Sequence, residues 1–320
     1  MANARTTTGT ILNKAISRLF RLIPVLLVCG PVLAEPALFQ SRQVTRAGEY
    51  TFGIEGPAVD AAGNLYVVNF QKAGTIGRLR PNAPASELFA TLPDGSIGNS
   101  IRFSPGGRMF IADWKKHNIF VIEPGSTVPR EYFRSDAFNQ PNDMTIAKDG
   151  TIYASDPHWK RRDGQVWRIS RTADGKVQGE PMTSPRAMST ANGIDLSPDE
   201  KTLYVGESTT REIWAYQIDG SKLVSPRLVR KFPDHDIDGI RTDVDGRIYA
   251  ARMLKGTVVI LTADGRIERE IPLTASEPSN LAFGGVDGRT IFVTQRKGGY
   301  IESFRVDRPG REFCLQRGRC

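Results

Sequence analysis

Six polar residues recur at one place in a repeated sequence pattern, and every one carries a side-chain oxygen. They are Glu55, Asn99, Asn142, Asn192, Asp238 and Asn280. Each stands ahead of a short apolar run and precedes an aromatic anchor: Tyr66, Phe110, Tyr153, Tyr204, Tyr249 or Phe292. The interval is 11 residues for Glu55, Asn99, Asn142 and Asp238. It is 12 for Asn192 and Asn280, whose turns (Asp199-Glu200-Lys201 and Asp287-Gly288-Arg289) carry an extra residue. With that allowance the six positions are equivalent. Two carboxylates and four amides, with no thiol or imidazole, form the ligand set of a hard divalent cation. Ca²⁺ comes first, then Mg²⁺ or Mn²⁺; Zn²⁺, which ordinarily asks for His or Cys, is the outside alternative. A single Asn or Asp here would be explained as a turn cap. Six at one position point to convergence on a shared spot, with at least one face left open for a substrate.

Such convergence needs a repeat that presents the same edge to an axis. The aromatic anchors are spaced by 44, 43, 51, 45 and 43 residues, close to the roughly 40–50 of one propeller blade. In each unit the apolar run, a tight turn and a second run such as Thr151-Ile152-Tyr153-Ala154 read as two strands. A third follows, for example Asn118-Ile119-Phe120-Val121-Ile122 or Glu212-Ile213-Trp214-Ala215-Tyr216. Helical periodicity is absent after residue 34. The fold class expected is all-β, a six-bladed β-propeller forming one domain over 35–320. The first strand of each blade lines the central channel. The stretch Phe39 to Tyr50 is expected to add an outer strand to the last blade and close the ring.

At this point the chain resembles a known family. Glu55-Gly56-Pro57, Pro141-Asn142-Asp143, Asn192-Gly193 and Asp238-Gly239 are similar to the signature of the gluconolactonase, senescence marker protein (regucalcin) and luciferin-regenerating enzyme family. The resemblance covers nearly the whole chain after residue 34. It implies a propeller that binds one divalent metal in its channel and hydrolyses sugar lactones or other cyclic esters. By motif, Glu55, Asn192 and Asp238 would hold the metal, Asn142 would lie beside it, and Asp238 would be the general base. Asn99 and Asn142 would orient ring hydroxyls; Asn280 and His235 are further candidates. One departure concerns the substrate: family members often carry Arg two residues before the Asn142 position, and here it is Gln140. The reading from another class is a non-catalytic propeller that binds a small ligand or protein partner, with metal structural or absent. Glu55 and Asp238 separate the two, because a pure binding module has no need of two carboxylates on the axis.

Other groups carry weaker signals. His117, His158 and His235 fall in loops beside the blades. Asp113 and Asp156 follow second strands and read as structural carboxylates that accept from neighbouring backbone N–H groups; Glu207 is similar. Trp114, Trp159, Arg102 and Arg252 either line a pocket or pack between blades. No phosphate-binding glycine loop or nucleophile elbow occurs around Ser155 or Ser208.

Composition sets the remaining bounds. The 320 residues carry a formal charge of +8, of which Arg5, Lys14, Arg18 and Arg21 supply 4, leaving +4 over the rest. With no dense Lys/Arg run, nucleic acid is not an expected partner; a small molecule is. Residues 1–34 read as a signal peptide: a basic start, an apolar run from Leu22 to Val32, and Val32-Leu33-Ala34 before the cut. The expected location is periplasmic or secreted, with no stable membrane span after cleavage. Cleavage would leave Cys314 and Cys320, either paired in an oxidising compartment or free on the tail.

Overall fold

A computed structural model describes residues 37–184 and 186–318. The expected signal peptide and Cys320, and with it the pairing of Cys314 with Cys320, lie outside the described residues. Residues 37–318 form six four-stranded antiparallel sheets arranged as a β-propeller. The innermost strands are Tyr50–Val59, Gly98–Phe103, Met144–Ile146, Ala191–Leu196, Asp236–Thr242 and Pro278–Gly284, for blades 1 to 6. Each contacts the innermost strand of the next blade, and blade 6 contacts blade 1, so the ring is complete. The third strands begin where the apolar runs begin: Thr75, Asn118, Gln165, Glu212, Thr257 and Tyr300.

The ring closes as the sequence suggests. Arg42–Gln43 pairs antiparallel with the last sequential strand, Arg42 opposite Ser303 and Gln43 opposite Glu302. This covers what would be an open sheet edge. The core is not one mass but six clusters, each between adjacent blades. Tyr66 and Ile101 share one across blades 1 and 2; Phe110 and Ile152 share another across blades 2 and 3. Five of the six aromatic anchors are buried in these clusters, and Phe292 packs partly buried against the one joining blades 6 and 1. A side chain of that size stabilises by about 1.5–3 kcal/mol on full burial, so repetition of the anchor is repetition of the interblade seam.

Two features differ from the sequence expectation. A helix, Arg311–Arg317, follows the last strand. Its seven residues are too few for periodicity to show, and its N-terminal Gly310 supplies no side-chain cap. Tertiary contacts hold it instead. Arg311 enters the channel where the innermost strands end, donating to Asp195 at 3.0 Å and to Thr145 Oγ1 at 2.6 Å.

The second difference concerns the ring of six. Strand register puts Tyr66, Phe110, Tyr153, Tyr204, Tyr249 and Phe292 opposite Ala58, Arg102, Thr145, Asp195, Arg241 and Ala282. Glu55, Asn99, Asn142, Asn192 and Asp238 each stand three residues before that partner. In blade 6 the equivalent residue is Ser279, not Asn280, because its turn is two residues longer than in blade 1 rather than one. A one-residue slip sends a side chain to the other face of a strand.

Candidate active site

Five of the six expected residues open into one cavity of about 650 Å³ at the end where the innermost strands begin. Glu55, Asn99, Asn142, Asn192 and Asp238 line it, with Trp114, Gln140 and Trp159 on its walls. Asn280 does not line it. It is buried one step along the strand, where its Oδ1 accepts from Arg241 Nη2 at 2.9 Å and from the Leu281 N–H. Ser279, at the true register position, spends its hydroxyl on the Ile54 carbonyl at 2.9 Å. His235 is also outside the cavity. It sits in an exposed loop with Nδ1 3.3 Å from Asp234, and neither His117 nor His158 lines the cavity.

Close packing of neighbouring strands explains the Asn-Gly and Asp-Gly pairs of the motif. A Cβ on Gly193 would lie 2.3 Å from the Asp238 carbonyl oxygen, and one on Gly239 would lie 2.2 Å from Asn280 Oδ1. Real Cβ atoms do not come so near, so glycine after Asn192 and after Asp238 lets adjacent blades meet at the axis.

The two carboxyl groups lie at the cavity floor with no cation in hydrogen-bond contact among the described residues. Burial pushes Glu55 well above the usual carboxylate range, and the Asp238 charge pushes it further. Burial also raises Asp238, to about 7, against the opposing pull of the Arg296 guanidinium and the Asn192 amide. Asn192 Nδ2 donates to Asp238 Oδ1 at 2.8 Å and to Ser208 Oγ at 2.9 Å. Its own Oδ1 is buried with no hydrogen-bond partner. The Asn99 and Asn142 side chains have no hydrogen bond to a described residue, so both amides are available to a ligand.

Beneath this floor the channel is filled. Asp143 is fully buried and accepts from Arg102 Nη2 at 2.6 Å and from Arg241 Nη1 at 2.8 Å. Burial raises its carboxyl to about 6 despite the Arg102 charge. Arg102 does not line the cavity; it is buried in the channel and ties its neighbours together, donating to the Pro57 carbonyl of blade 1 and the Met144 carbonyl of blade 3. Arg252 is held away from the site by Asp234 at 2.9 Å and the Phe232 ring at 3.7 Å. Trp114 and Trp159 do line the cavity. Asp113 accepts from the backbone N–H groups of Ile97, Lys115 and Lys116, and Asp156 from those of Asn139 and Gln140. Glu207 accepts from Ser189 N–H at 2.9 Å. All three stand three residues after an aromatic anchor and order the loops at the cavity rim.

Two cavity residues that sequence reasoning missed stand just after an anchor, at the end of a second strand or in the loop that follows. Asn69 stands three residues after Tyr66, and Arg296 four after Phe292, as Trp114 does after Phe110. Counting forward from the anchors, as well as back, would have found them.

A family model described as SMP-30/Gluconolactonase/LRE-like region matches residues 52–297. The chain belongs to this family. It is 26% identical over 276 residues to a gluconolactonase of Zymomonas mobilis, covering 75% of each chain. It is 23% identical over 305 residues to the diisopropyl-fluorophosphatase of Loligo vulgaris, covering 84% of this chain and 94% of that one. Among solved structures, a regucalcin from Agrobacterium tumefaciens, described as a calcium-binding protein, superposes with TM-score 0.69 at 18% identity. That match covers 84% of this chain and 95% of the other. A luciferin-regenerating enzyme superposes with TM-score 0.70 at 17% identity, covering 86% and 97%. At these identities the structures speak for the fold, which they share with this six-bladed propeller.

The residues at the cavity floor fit a hard divalent cation. The buried, partnerless Asn192 Oδ1 is an orphan that a cation would satisfy, and the Glu55 and Asp238 carboxyls supply the charge. No cluster of three or more His, Cys, Asp or Glu occurs among the described residues. The donor set accordingly depends on the amide of Asn192 as well as two carboxylates.

Proposed function

We propose that this protein is a metal-dependent hydrolase of sugar lactones or related cyclic esters. The observation that carries the reading is two half-buried carboxyls and one orphaned amide oxygen sharing the floor of a single cavity, in a chain of this family. Glu55, Asn192 and Asp238 would hold the cation, Ca²⁺ before Mg²⁺, Mn²⁺ or Zn²⁺, because the donors are all oxygen. A divalent cation bound there would supply Lewis-acid polarisation of the ester carbonyl and lower the pKa of water.

The chain's own residues do the rest. Asp238 is the base. Asn192 holds its Oδ1 at 2.8 Å, which fixes the carboxylate and leaves Oδ2 without a described partner to receive the proton of the attacking water. Burial raises this carboxyl in the metal-free site, and a bound cation would draw it back down, so lowering the pKa of the water is the other half of matching base to nucleophile. The Asn99 and Asn142 amides can each both donate to and accept from ring hydroxyls. Trp114 and Trp159 give the cavity apolar wall against which a ring can pack. A volume of about 650 Å³ suits a sugar-sized ring.

The test is turnover of a panel of sugar and aliphatic lactones by purified protein, before and after chelator, with Ca²⁺ added back. Chelator-sensitive, Ca²⁺-restored hydrolysis is expected. Absence of any such turnover across the panel overturns the proposal.

A further inference from the structure

Among the described residues Arg296 is the one cation lining the cavity, and its guanidinium is only partly used. Its backbone is pinned: the Arg296 N–H donates to the Glu277 carbonyl at 3.0 Å. Nε donates to the Phe52 carbonyl at 3.5 Å, and the guanidinium carbon lies 4.3 Å from the Phe52 ring centroid. Stacking of this kind fixes the plane of the group. The two Nη atoms have no hydrogen bond and no ion pair with any described residue. Other arginines near the channel are committed. Arg102 and Arg241 share Asp143, Arg252 is taken by Asp234, and Arg186 is paired with Glu207.

A stacked guanidinium that lines a cavity, with both Nη groups unpartnered among the described residues, is a fork for an oxyanion. The floor carboxyls do not occupy it, since neither Glu55 nor Asp238 forms an ion pair with Arg296. The position is set by the fold: it lies four residues after the blade 6 anchor, on a loop beside the innermost strand of blade 1.

We propose that Arg296 makes this site selective for lactones that carry an anionic substituent, a carboxylate or sulfonate, on the ring or its side arm. The proposal rests on the lactonase function above and adds the charge class of the substrate. The substituent forms a bidentate pair with Nη1 and Nη2 at the Phe52 side of the mouth, while the ester sits at the Asp238 floor. Gln140, on the cavity wall, contributes no charge. Recognition of an anion therefore falls to blade 6.

A competing role for Arg296 is to balance the charge of Glu55 and Asp238. The two roles separate in one experiment. kcat/KM is measured for a neutral sugar δ-lactone and for the same lactone with a carboxylate replacing its terminal hydroxymethyl, in wild type, Arg296→Gln and Arg296→Lys. Binding of the two corresponding lactams, which have no ester to hydrolyse, is measured by calorimetry in parallel. The expected result is a wild-type preference for the anionic lactone, falling about thirty-fold in Arg296→Gln, mostly through KM. Arg296→Lys should retain part of the preference. If wild type shows no anionic preference, or if Arg296→Gln leaves the ratio unchanged by slowing both lactones alike, the proposal is overturned and the lactonase function stands. If no lactone is turned over, the lactonase function fails, and the lactams decide this one. Tighter binding of the anionic lactam, lost in Arg296→Gln, supports selectivity by Arg296; equal binding of the two overturns it.

Discussion

Replacing Asp238 by Asn should stabilise the metal-free protein, and should do so only at higher pH. The carboxyl sits at about 7 in the fold against an ordinary 3.8, chiefly because burial penalises its charge. A raised carboxyl pKa means that the folded state binds the proton more tightly than the unfolded state does. Its contribution is therefore fully present below about pH 4 and is lost as pH rises toward 7. A difference of about 3 pKa units corresponds to about 4 kcal/mol at most, since part of the side chain is open to water in the cavity. Asp238→Asn removes the charge and keeps an oxygen to accept from Asn192. The assay is thermal and urea unfolding of wild type and variant in chelator, from pH 4 to pH 8.5. The variant's advantage should grow by up to about 4 kcal/mol across that range, or roughly 8 °C in midpoint for a chain of this size. Saturating Ca²⁺ should reverse the order at pH 8, because wild type then gains a bound cation that the variant holds poorly. Turnover in the variant should drop about 10²–10⁴-fold with loss of the base. A wild-type minus variant difference that stays flat with pH would show that Asp238 is not a strained, buried acid, and the reasoning about the cavity floor would fall with it.

Asp143→Asn should cost about 3–5 kcal/mol, because Arg102 and Arg241 would face each other across a neutral amide in the filled channel. Urea denaturation reads this as a lower midpoint at unchanged slope; a shift under 1 kcal/mol would mean the two guanidiniums find other partners. Gly193→Ala should destabilise by about 3 kcal/mol or more, since the new Cβ would press on backbone atoms of Asp238 and Ile240 at 2.3 and 2.5 Å. Activity should fall with stability in that variant, as Asp238 is pushed from its place; a variant that matches wild type in both would disprove the close packing.

Much of the architecture was legible because it is periodic. An aromatic anchor every 43 to 51 residues reports the same interblade seam six times, and repetition lifts a weak local signal into a strong one. Five of the cavity's oxygen-bearing residues were legible for the same reason, as was the structural role of Asp113 and Asp156. Asn280 was misplaced because a turn length cannot be read to a single residue from sequence, and one residue decides which face a side chain takes. The C-terminal helix was invisible for want of length. Arg102, Asp143 and Arg241 stand in three different blades, 41 and 98 residues apart, and no local pattern joins them.

The sequence by itself determined the repeat, the blade number and the equivalence of Glu55, Asn99, Asn142, Asn192 and Asp238. It could do so because strand periodicity, turn chemistry and anchor spacing are local properties of the chain. Only the tertiary structure decided that Glu55 and Asp238 share one buried floor, that Asn280 and His235 stay out of it, and that Arg296 joins it. Those outcomes depend on which side chains meet across blades, and on the loss of water that raises both carboxyls, and neither is written in any single stretch of the chain.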